Sequence, residues 1–301
     1  MKTGTTSKVE SIVFHTLNTS FLLLIAAAML YPFWNTIAVS FNEATDTLRG
    51  GIALFPRKFT LYNYQSIFRN GTIFHAFFVS VVRTVINMVT NVFFTAMIAY
   101  VLSRKEFFLR KPFTLILILS MYVNAGLIPS YFLIRNLGML NSFWVYVIPS
   151  MVNAFNFVII RTYMRTLPES IIESARIDGC GEFVIFTQIM LPLCLPVLAT
   201  VGLFVAVGAW NSWFDTMIYN SGRVNLHTLQ YKLMEYLQSS QSQSRSAGDA
   251  ASMAMSQSAG MITPMSIRAA ITVIAAAPIL LIYPFMQRYF VVGLNVGGVK
   301  E

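Results

Sequence analysis

The carboxylates and turn-forming residues best suited to chemistry lie together in one short segment, residues 167–181. Glu169 and Glu173 occupy the early positions of a predicted helix, where the helix dipole favours negative charge. Asp178-Gly179 then supplies a helix end. One side of this helix carries an apolar stripe made of Ile171, Ile172 and Ala175. About three turns cannot span a membrane and carry too little apolar surface for a core, so we expect this helix to dock onto another surface.

No catalytic chemistry is predicted from the sequence. A nucleotide-binding P-loop needs a glycine-rich run ending in Gly-Lys-Ser/Thr, and the sequence lacks even one Gly-Lys dipeptide. No group of His, Cys, Asp and Glu has the spacing of metal ligands. We therefore predict no catalytic residue, no metal and no cofactor, and any energy must come from a partner.

Composition predicts a polytopic membrane protein. The 301 residues are 56% hydrophobic and 11% charged, whereas soluble domains are about 25% charged. The net charge of +9 could indicate nucleic acid, but no basic run with interleaved aromatic residues appears outside the apolar segments. Basic residues that flank membrane spans are the simpler explanation. Cys180 and Cys194 are interpreted as small apolar filler.

The apolar runs predict an all-α fold with six transmembrane helices, forming one membrane domain over residues 1–301. The predicted spans are about 12–39, 78–102, 112–134, 143–160, 184–209 and 269–290. A cytoplasmic docking helix at about 167–179 and an outer loop at 211–268 complete the topology. Four basic residues within 103–111 mark a cytoplasmic loop. This orientation places both termini in the cytoplasm.

Three observations on polar residues in the predicted spans and loops affect the functional interpretation. The spans contain no Asp or Glu, which disfavours an ion-coupled carrier. Arg83 lies near the outer end of the second span, where a long side chain can reach the lipid headgroups. The stretch 238–260 is rich in Ser, Gln, Ala and Met, which predicts a flexible, solvated excursion.

The motif Glu173-Ser174-Ala175-x-x-Asp178-Gly179, followed by Ile189-x-Leu191-Pro192, resembles the EAA loop of bacterial ABC importer permeases. Ser174 stands where the family usually has Ala. Further matches place the resemblance in the carbohydrate-uptake branch, with the relatives of the maltose transporter's smaller permease subunit. These matches are Phe55-Pro56-x-x-Phe59-Thr60-Leu61, Ala99-Tyr100-x-Leu102-Ser103-Arg104, Pro129-x-Tyr131 and Tyr283-Pro284-Phe285. The resemblance covers about residues 55–298.

The resemblance implies a permease subunit that works by alternating access in the bacterial inner (plasma) membrane. Its implied partners are a second homologous permease, a cytoplasmic ATPase dimer, an extracytoplasmic sugar-binding protein and the lipid bilayer, with no nucleic acid. In the family the EAA helix inserts into a groove of the ATPase, and the matching carboxylate here is Glu173. The residues implied in this coupling are Glu173, Ser174, Ala175, Asp178 and Gly179.

The outer loop gains a role from the same resemblance, because related permeases send a loop from between the last two spans into the binding protein. The corresponding residues here are Ser242, Ser244, Arg245 and Asp249. A disordered connector is the alternative interpretation.

A sugar pathway requires amide groups and aromatic faces without charge. The candidates are Asn124, Tyr131, Asn153, Asn156, Trp210, Asn211 and Trp213. The two tryptophans are equally consistent with an aromatic belt at the lipid interface. Asn153 and Asn156 are equally consistent with hydrogen bonds between helices.

The expected function is therefore import of a carbohydrate, an oligosaccharide by the resemblance. An ion-coupled secondary transporter, an importer permease for another small polar solute, and a signalling or scaffold membrane protein are the rival hypotheses.

Overall fold

In the computed structural model, residues 4–69, 71–246 and 263–295 are described. These residues form helices, together with one isolated bridge between Asn42 and Phe59, and they contain no β-strand. The all-α prediction therefore holds for this part of the chain.

The α-helices follow one another as α1 (Gly4–Ser40), α2 (Ala44–Thr47), α3 (Tyr62–Arg69), α4 (Thr72–Ser103), α5 (Arg110–Ser120), α6 (Leu127–Asn136), α7 (Ala154–Met164), α8 (Ser170–Ile177), α9 (Glu182–Val184), α10 (Leu191–Leu193), α11 (Leu195–Asn211), α12 (Phe214–Tyr219), α13 (Leu229–Ser246) and α14 (Pro264–Asn295). Short 3-10 helices occupy Phe143–Tyr146, Ile148–Ser150 and Val224–Leu226, and a π-helical turn joins α9 to α10 over Ile185–Met190.

Several segments of the described residues are long and apolar enough to cross a membrane. Three are unbroken, namely Glu10–Ser40, Thr72–Ser103 and Met265–Ile282. Two bent pairs raise the number to five if each pair is one crossing: Phe143–Ser150 with Ala154–Met164, and Glu182–Leu193 with Leu195–Asn211. The chain is therefore multi-pass, with fewer continuous helices than the six predicted spans.

Prolines and an asparagine cap explain the two bends. The second pair turns by 82° around Cys194, where Pro192 and Pro196 remove two backbone donors from the helical ladder. The first pair turns by 48° next to Asn153, whose side chain caps α7 by accepting a hydrogen bond from the Asn156 N–H. The predicted spans at 143–160 and 184–209 are thus angular rather than straight.

The predicted third span, residues 112–134, is interrupted. α5 ends at Ser120 and α6 begins at Leu127. Between them, the Asn124 side chain accepts a hydrogen bond from the Gly126 N–H at 2.9 Å. Gly126 adopts a φ of +85°, which a residue without Cβ tolerates. A local side-chain turn therefore replaces the continuous helix expected from hydropathy alone.

The chain divides into two compact units, Met1–Asn70 with Glu235–Ala275 and Gly71–Met234 with Ala276–Glu301. In the first unit, the polar stretch after α1 is ordered by buried hydrogen bonds. The Asn63 side chain donates to the Ser40 and Asn42 carbonyls, both at 2.9 Å. Arg57 pairs with Asp46 at 2.9 Å. Hydrogen bonds from Asn42 and then from Arg57 to this carboxylate lower the pKa of Asp46 below its usual value.

The second unit has a hydrophobic core built around α4. α4 packs against α7 and α11, and the buried contacts include Ala96 and Ala99 of α4, Phe157 of α7 and Val201 of α11. Cys194 lies inside this core, and Cys180 packs against it. Ala96 and Ala99 present little side chain, so small residues at this position allow the neighbouring helices to approach α4.

The predicted outer loop, residues 211–268, contains more helix than expected. α12 and α13 lie within it, and α14 already begins at Pro264. Thr228 helps to start α13, because its hydroxyl accepts a hydrogen bond from the Tyr231 N–H at 3.4 Å. Residues 238–246, expected to be flexible, continue this helix, since Gln and Ser tolerate helical geometry at small cost. Residues 247–262 lie outside the described residues.

Candidate functional site

A cavity of about 730 Å³ lies within the second unit. Its polar lining comes from α4, α6, α7, the 3-10 turn before α7, and an outer segment that we define as Ser212–Leu226. The polar residues are Arg83, Asn87, Asn91, Ser130, Ser150, Asn153, Asn156, Ser212 and Asp215. Aromatic side chains, among them Tyr146, Phe155, Phe204 and Tyr219, also border it. This volume and this mixture of polar and aromatic groups are typical of a site for a small organic ligand.

α4 supplies one polar face to this cavity. Arg83, Asn87 and Asn91 recur at intervals of four residues and so fall on one side of the helix. The Asn87 amide donates to the Tyr146 carbonyl at 2.9 Å and its oxygen accepts from the Ser150 hydroxyl at 3.1 Å. α4 is thereby fixed to the helical turns that precede α7.

A chain of hydrogen-bonded amide side chains extends from α4 onto α7. The Asn91 side chain donates to the Ser150 carbonyl, and the Asn156 amide donates to the Asn91 side-chain oxygen at 3.1 Å. Asn153 accepts a hydrogen bond from the Asn156 backbone at 3.0 Å. These amides hold each other in fixed orientations, so the cavity presents a preformed set of donors and acceptors.

An ion pair between a buried arginine and a partly buried aspartate lies at one end of the cavity. The Arg83 guanidinium pairs with Asp215, donates to the Ser212 carbonyl at 3.1 Å, and lies 4.3 Å from the centre of the Tyr146 ring. Only 3% of the Arg83 side chain is exposed. The prediction that Arg83 reaches the lipid headgroups is wrong, because a carboxylate 132 positions later in the chain meets it inside the protein.

The outer segment is fixed to this pair by further hydrogen bonds. The second oxygen of Asp215 accepts from the Ser212 hydroxyl at 2.8 Å and from the Thr216 N–H at 3.0 Å. The Tyr146 hydroxyl lies 2.9 Å from the Thr216 hydroxyl and donates to the Leu226 carbonyl at 2.7 Å. The segment from Ser212 to Leu226 is thus attached to the end of the cavity.

A second candidate site is the surface of α8, which occupies the segment predicted to dock. Ile172 and Ala175 are buried in this chain's own core, together with residues of α4 and α7. Glu173 and Ser174 remain exposed, and Ile177 is 86% exposed. The apolar stripe therefore attaches α8 to this chain, and the opposite face is free for a partner.

α8 ends in a geometry that requires glycine. The Cys180 N–H bonds to the Ala175 carbonyl and the Gly179 N–H to the Arg176 carbonyl, both at 3.0 Å. This is the Schellman pattern of helix termination. Gly179 has a φ of +81°, in the left-handed region that side chains disfavour. Asp178 at the helix end is exposed.

Arg176 connects α8 to two other segments. Its Nη1 bonds to Glu106 and its Nε to Glu182, each at 2.8 Å. Glu182 in turn accepts a hydrogen bond from the Tyr100 hydroxyl, on α4, at 2.6 Å. The hydrogen bond from Arg176 lowers the pKa of Glu106 below its usual value, and the two carboxylates raise the pKa of Arg176.

The structure distributes the predicted sugar-path residues unevenly. Asn153 and Asn156 line the cavity. Tyr131 lies behind its wall, stacked on Tyr219 at 6.3 Å between ring centres. Asn124 forms the turn between α5 and α6 and is exposed.

The three predicted residues at the end of α11 and just beyond it do not line the cavity. Trp210 is buried, with its ring 5.8 Å from that of Phe77 in an edge-to-face contact. Asn211 is exposed and accepts a hydrogen bond from Gln230 at 3.3 Å. Trp213 is half-buried beside Phe214. The burial of Trp210 indicates packing inside the protein rather than a place in an aromatic belt.

Of the predicted binding-protein loop, Ser242, Ser244 and Arg245 lie on α13. Asp249 lies outside the described residues.

Sequence reasoning missed Asn87, Asn91, Ser150 and Asp215. The signal for the first two was present, since polar residues every four positions in an apolar helix mark a buried polar face. Asp215 offered no such signal, because it follows the fifth apolar run and looks like an ordinary loop carboxylate.

Comparisons with known proteins identify the family of this chain. No protein-family model matches the sequence. The chain is 34% identical over 282 residues to the polygalacturonan/rhamnogalacturonan transport system permease protein YtcP of Bacillus subtilis (strain 168), covering 93% of this chain and 96% of that protein. It is 30% identical over 287 residues to the arabinooligosaccharides transport system permease protein AraQ of the same organism, covering 94% of both.

A solved structure has the same fold. The chain aligns with a TM-score of 0.82 and 25% identity to a chain of a bacterial ABC transporter involved in the import of the acidic polysaccharide alginate. The match covers 93% of this chain and 98% of that chain. Permeases of this kind leave ATP hydrolysis to a separate subunit, in keeping with the absence of a P-loop motif here. By sequence identity and coverage, the chain belongs to the permease subunits of bacterial ABC importers, in the carbohydrate-uptake branch.

Proposed function

We propose that this chain forms half of the membrane pathway of a binding-protein-dependent, ATP-driven importer for an oligosaccharide, working by alternating access. The observation that carries this proposal is the 730 Å³ cavity with its chain of amide side chains. Amides can both donate to and accept from sugar hydroxyls, and the aromatic borders can pack on sugar rings.

The charge of the cavity also suits this cargo. Among the described residues that line it, Arg83 and Asp215 carry charge and neutralise each other. The named cargoes of the relatives support the same class, since polygalacturonan, rhamnogalacturonan, arabinooligosaccharides and alginate are all carbohydrates.

The proposed assembly contains a second homologous permease, a cytoplasmic ATPase dimer and an extracytoplasmic sugar-binding protein. Six crossings result if α5 and α6 form one interrupted crossing in addition to the three continuous helices and the two bent pairs. The basic turn at 103–111 supports a cytoplasmic location for this end of α4, and with it for α8 and both termini.

α8 is the proposed entry point for force from the ATPase. Its buried face is fixed to the core that also contains α4, while the exposed Glu173 forms no side-chain hydrogen bond or ion pair within the described residues. A carboxylate left unpaired on a docked helix is suited to a basic residue of a partner.

The first experiment tests the cavity. The chain would be reconstituted in proteoliposomes with its partner permease, ATPase and binding protein, using a sugar identified by thermal-shift screening of the binding protein. Asn91→Ala and Asn153→Ala should lower the uptake rate several-fold. Asn136→Ala, at the exposed end of α6, is the matched control. Unchanged uptake in both cavity variants would refute the cavity as the sugar path.

The second experiment tests the coupling surface. Glu173→Arg should abolish the ATPase activity stimulated by the loaded binding protein, while the permease still inserts. Gly179→Val should do the same by straining the helix end. Glu169→Gln, on the same surface but paired with Lys105, is the control. Normal stimulated ATPase activity in both Glu173→Arg and Gly179→Val would contradict the assignment.

The third experiment tests the predicted binding-protein loop. Deletion of residues 243–256 should lower uptake without affecting assembly, if Ser242, Ser244, Arg245 and Asp249 help to release sugar from the binding protein. Uptake at the normal rate would instead favour a simple connector.

A further inference from the structure

An apolar groove of about 450 Å³ lies between the C-terminal end of α4 and the first turns of α5. Apolar side chains alone line it, among them Val101 and Leu102 of α4 and Phe113 and Ile116 of α5. Phe113 is 48% exposed and Ile116 61% exposed. The groove is therefore open along its side and can accept a flexible apolar chain.

Three arginines lie at the helix ends next to this groove. Arg161 of α7 donates from its Nε to the Leu102 carbonyl at 3.0 Å, and Leu102 itself lines the groove. Arg165 caps the C-terminal end of α7, one turn after Arg161, and α7 packs against α5. Arg110 begins α5, one turn before Phe113. The groove thus ends where these two helices bring three positive charges to the same end of the molecule's second unit.

This positive charge is not compensated within the described part of the chain. The ion pairs there use Arg57, Lys58, Arg83, Lys105 and Arg176, and none includes the three arginines. Like charges held close together at a membrane interface repel one another, and an anion placed among them removes that repulsion. The arrangement therefore favours a ligand that is anionic at one end.

We propose that the groove and the three arginines together bind one anionic phospholipid. The guanidinium groups of Arg110, Arg161 and Arg165 hold the headgroup phosphate, and one acyl chain lies in the groove beside Phe113 and Ile116. A phospholipid supplies both parts at the depth where basic residues flank membrane spans. A free phosphate would leave the groove empty. This site is separate from the sugar cavity and from the exposed face of α8, so it stands independently of the proposed function.

The site is tested by lipid binding to the full-length chain purified in an uncharged detergent. The probes are dioleoylphosphatidylglycerol and dioleoylphosphatidylcholine, titrated separately and followed by native mass spectrometry. The wild-type chain should prefer phosphatidylglycerol. Arg110→Gln and Arg165→Gln should each weaken phosphatidylglycerol binding about fivefold, the effect of one basic residue near an anionic surface. Phosphatidylcholine, whose choline cation offsets the phosphate, should bind more weakly and lose less affinity in these variants.

Matched variants distinguish the effects of the positive charge and of the groove from a general loss of folding. Arg135→Gln, at the exposed end of α6, should leave the lipid preference unchanged. Arg110→Lys with Arg165→Lys keeps the charge and should retain most of the affinity. Ile116→Trp fills the groove, so it should weaken binding of the dioleoyl lipid but spare the weaker binding of dihexanoylphosphatidylglycerol.

Four results would overturn the proposal. The first is equal binding of the two dioleoyl lipids by the wild-type chain. The second is unchanged lipid preference in Arg110→Gln with Arg165→Gln, and the third is displacement of the lipid by inorganic phosphate at comparable concentration. The fourth is loss of ATPase-subunit binding in the double variant with the lipid preference intact, which would show a protein contact instead.

Discussion

Arg83 and Arg176 each bond to a carboxylate far away in the chain, 132 and 70 positions distant respectively, yet their surroundings differ. Arg83 is 3% exposed in its side chain and meets Asp215 beside the cavity, under the ring of Tyr146. Arg176 is 34% exposed and shares two carboxylates, Glu106 and Glu182, at the edge of α8. The free-energy cost of removing one partner from a buried pair is large, whereas an exposed pair contributes little to stability. The first cluster therefore fixes structure, and the second can give way during movement.

The largest expected effect comes from breaking the buried pair. Asp215→Leu should lower the free energy of unfolding by about 3–5 kcal/mol, because Arg83, whose side chain is only 3% exposed, is left buried without its carboxylate. Unfolding of the purified chain in mixed detergent micelles would measure this change.

The double variant Arg83→Met with Asp215→Leu is the control for that measurement. Removing both charges should restore most of the stability, since a buried pair often performs no better than apolar residues of similar volume. A double variant that loses as much stability as the two single variants together would show that the contacts to Ser212 and Thr216, rather than the pair itself, carry the effect.

A smaller effect is expected from the uncharged part of the cavity. Asn91→Leu removes a donor from the Ser150 carbonyl and an acceptor from the Asn156 amide. Leaving these groups unpaired should lower the free energy of unfolding by about 1–3 kcal/mol. Thr90→Val is the matched control, because the Thr90 hydroxyl bonds only within its own helix. Equal losses in the two variants would show that the amide chain does not stabilise the cavity.

The exposed cluster should respond in the opposite way. Arg176→Gln should change the free energy of unfolding by at most about 1 kcal/mol, because the pairs are solvated. The ratio of sugar transported to ATP hydrolysed should nevertheless fall, since Arg176 connects α8 to Glu182 and through it to Tyr100 on α4. Lys105→Gln, which breaks the exposed pair with Glu169, should leave this ratio unchanged. If Arg176→Gln caused a large loss of stability with a normal transport-to-hydrolysis ratio, the Arg176 cluster would be structural like the Arg83 pair, and the comparison would be wrong.

The smallest effect concerns pH. The pKa of Glu106 lies below its usual value in the folded chain because Arg176 donates a hydrogen bond to its carboxylate. The unfolded chain therefore binds this proton first as pH falls, so stability from the pair is present above about pH 4.5. It is lost as pH falls through the lower, folded pKa. Arg176→Gln should reduce the dependence of the free energy of unfolding on pH in this range. The same pH dependence in the wild-type and variant proteins would contradict the role of the Glu106–Arg176 pair.

Local patterns explain what the sequence could predict. The helix at 170–177 was predictable because carboxylates near the start, an apolar stripe and Asp178-Gly179 all act within a few residues. Long apolar runs likewise predicted α1, α4 and α14. The interruption at Asn124 was missed, because hydropathy does not record a side chain that bonds to the backbone two residues later.

Contacts between distant residues explain what the sequence could not predict. Seven α-helices separate α4, which carries Arg83, from α12, which carries Asp215, and nothing near Asp215 marks it as the partner of an arginine. The same holds for Asn91 and Asn156, whose bond joins α4 to α7 across 65 positions. Asn156 was predicted either to contact sugar or to form hydrogen bonds between helices. In the structure its amide donates a hydrogen bond to Asn91 of α4, and the residue also lines the cavity.

The interruption between α5 and α6 has a consequence for what surrounds this subunit. Eleven residues of α5 rise about 16 Å, roughly half the hydrocarbon thickness, before the helix stops. Tyr122 and Val123 beyond it are 81% and 74% exposed. Fatty-acid tails offer no hydrogen bonds to the bare peptide groups of such a break. The break itself must therefore be covered by another polypeptide or bathed in water, and a subunit isolated in pure lipid would have unpaired peptide groups at that depth.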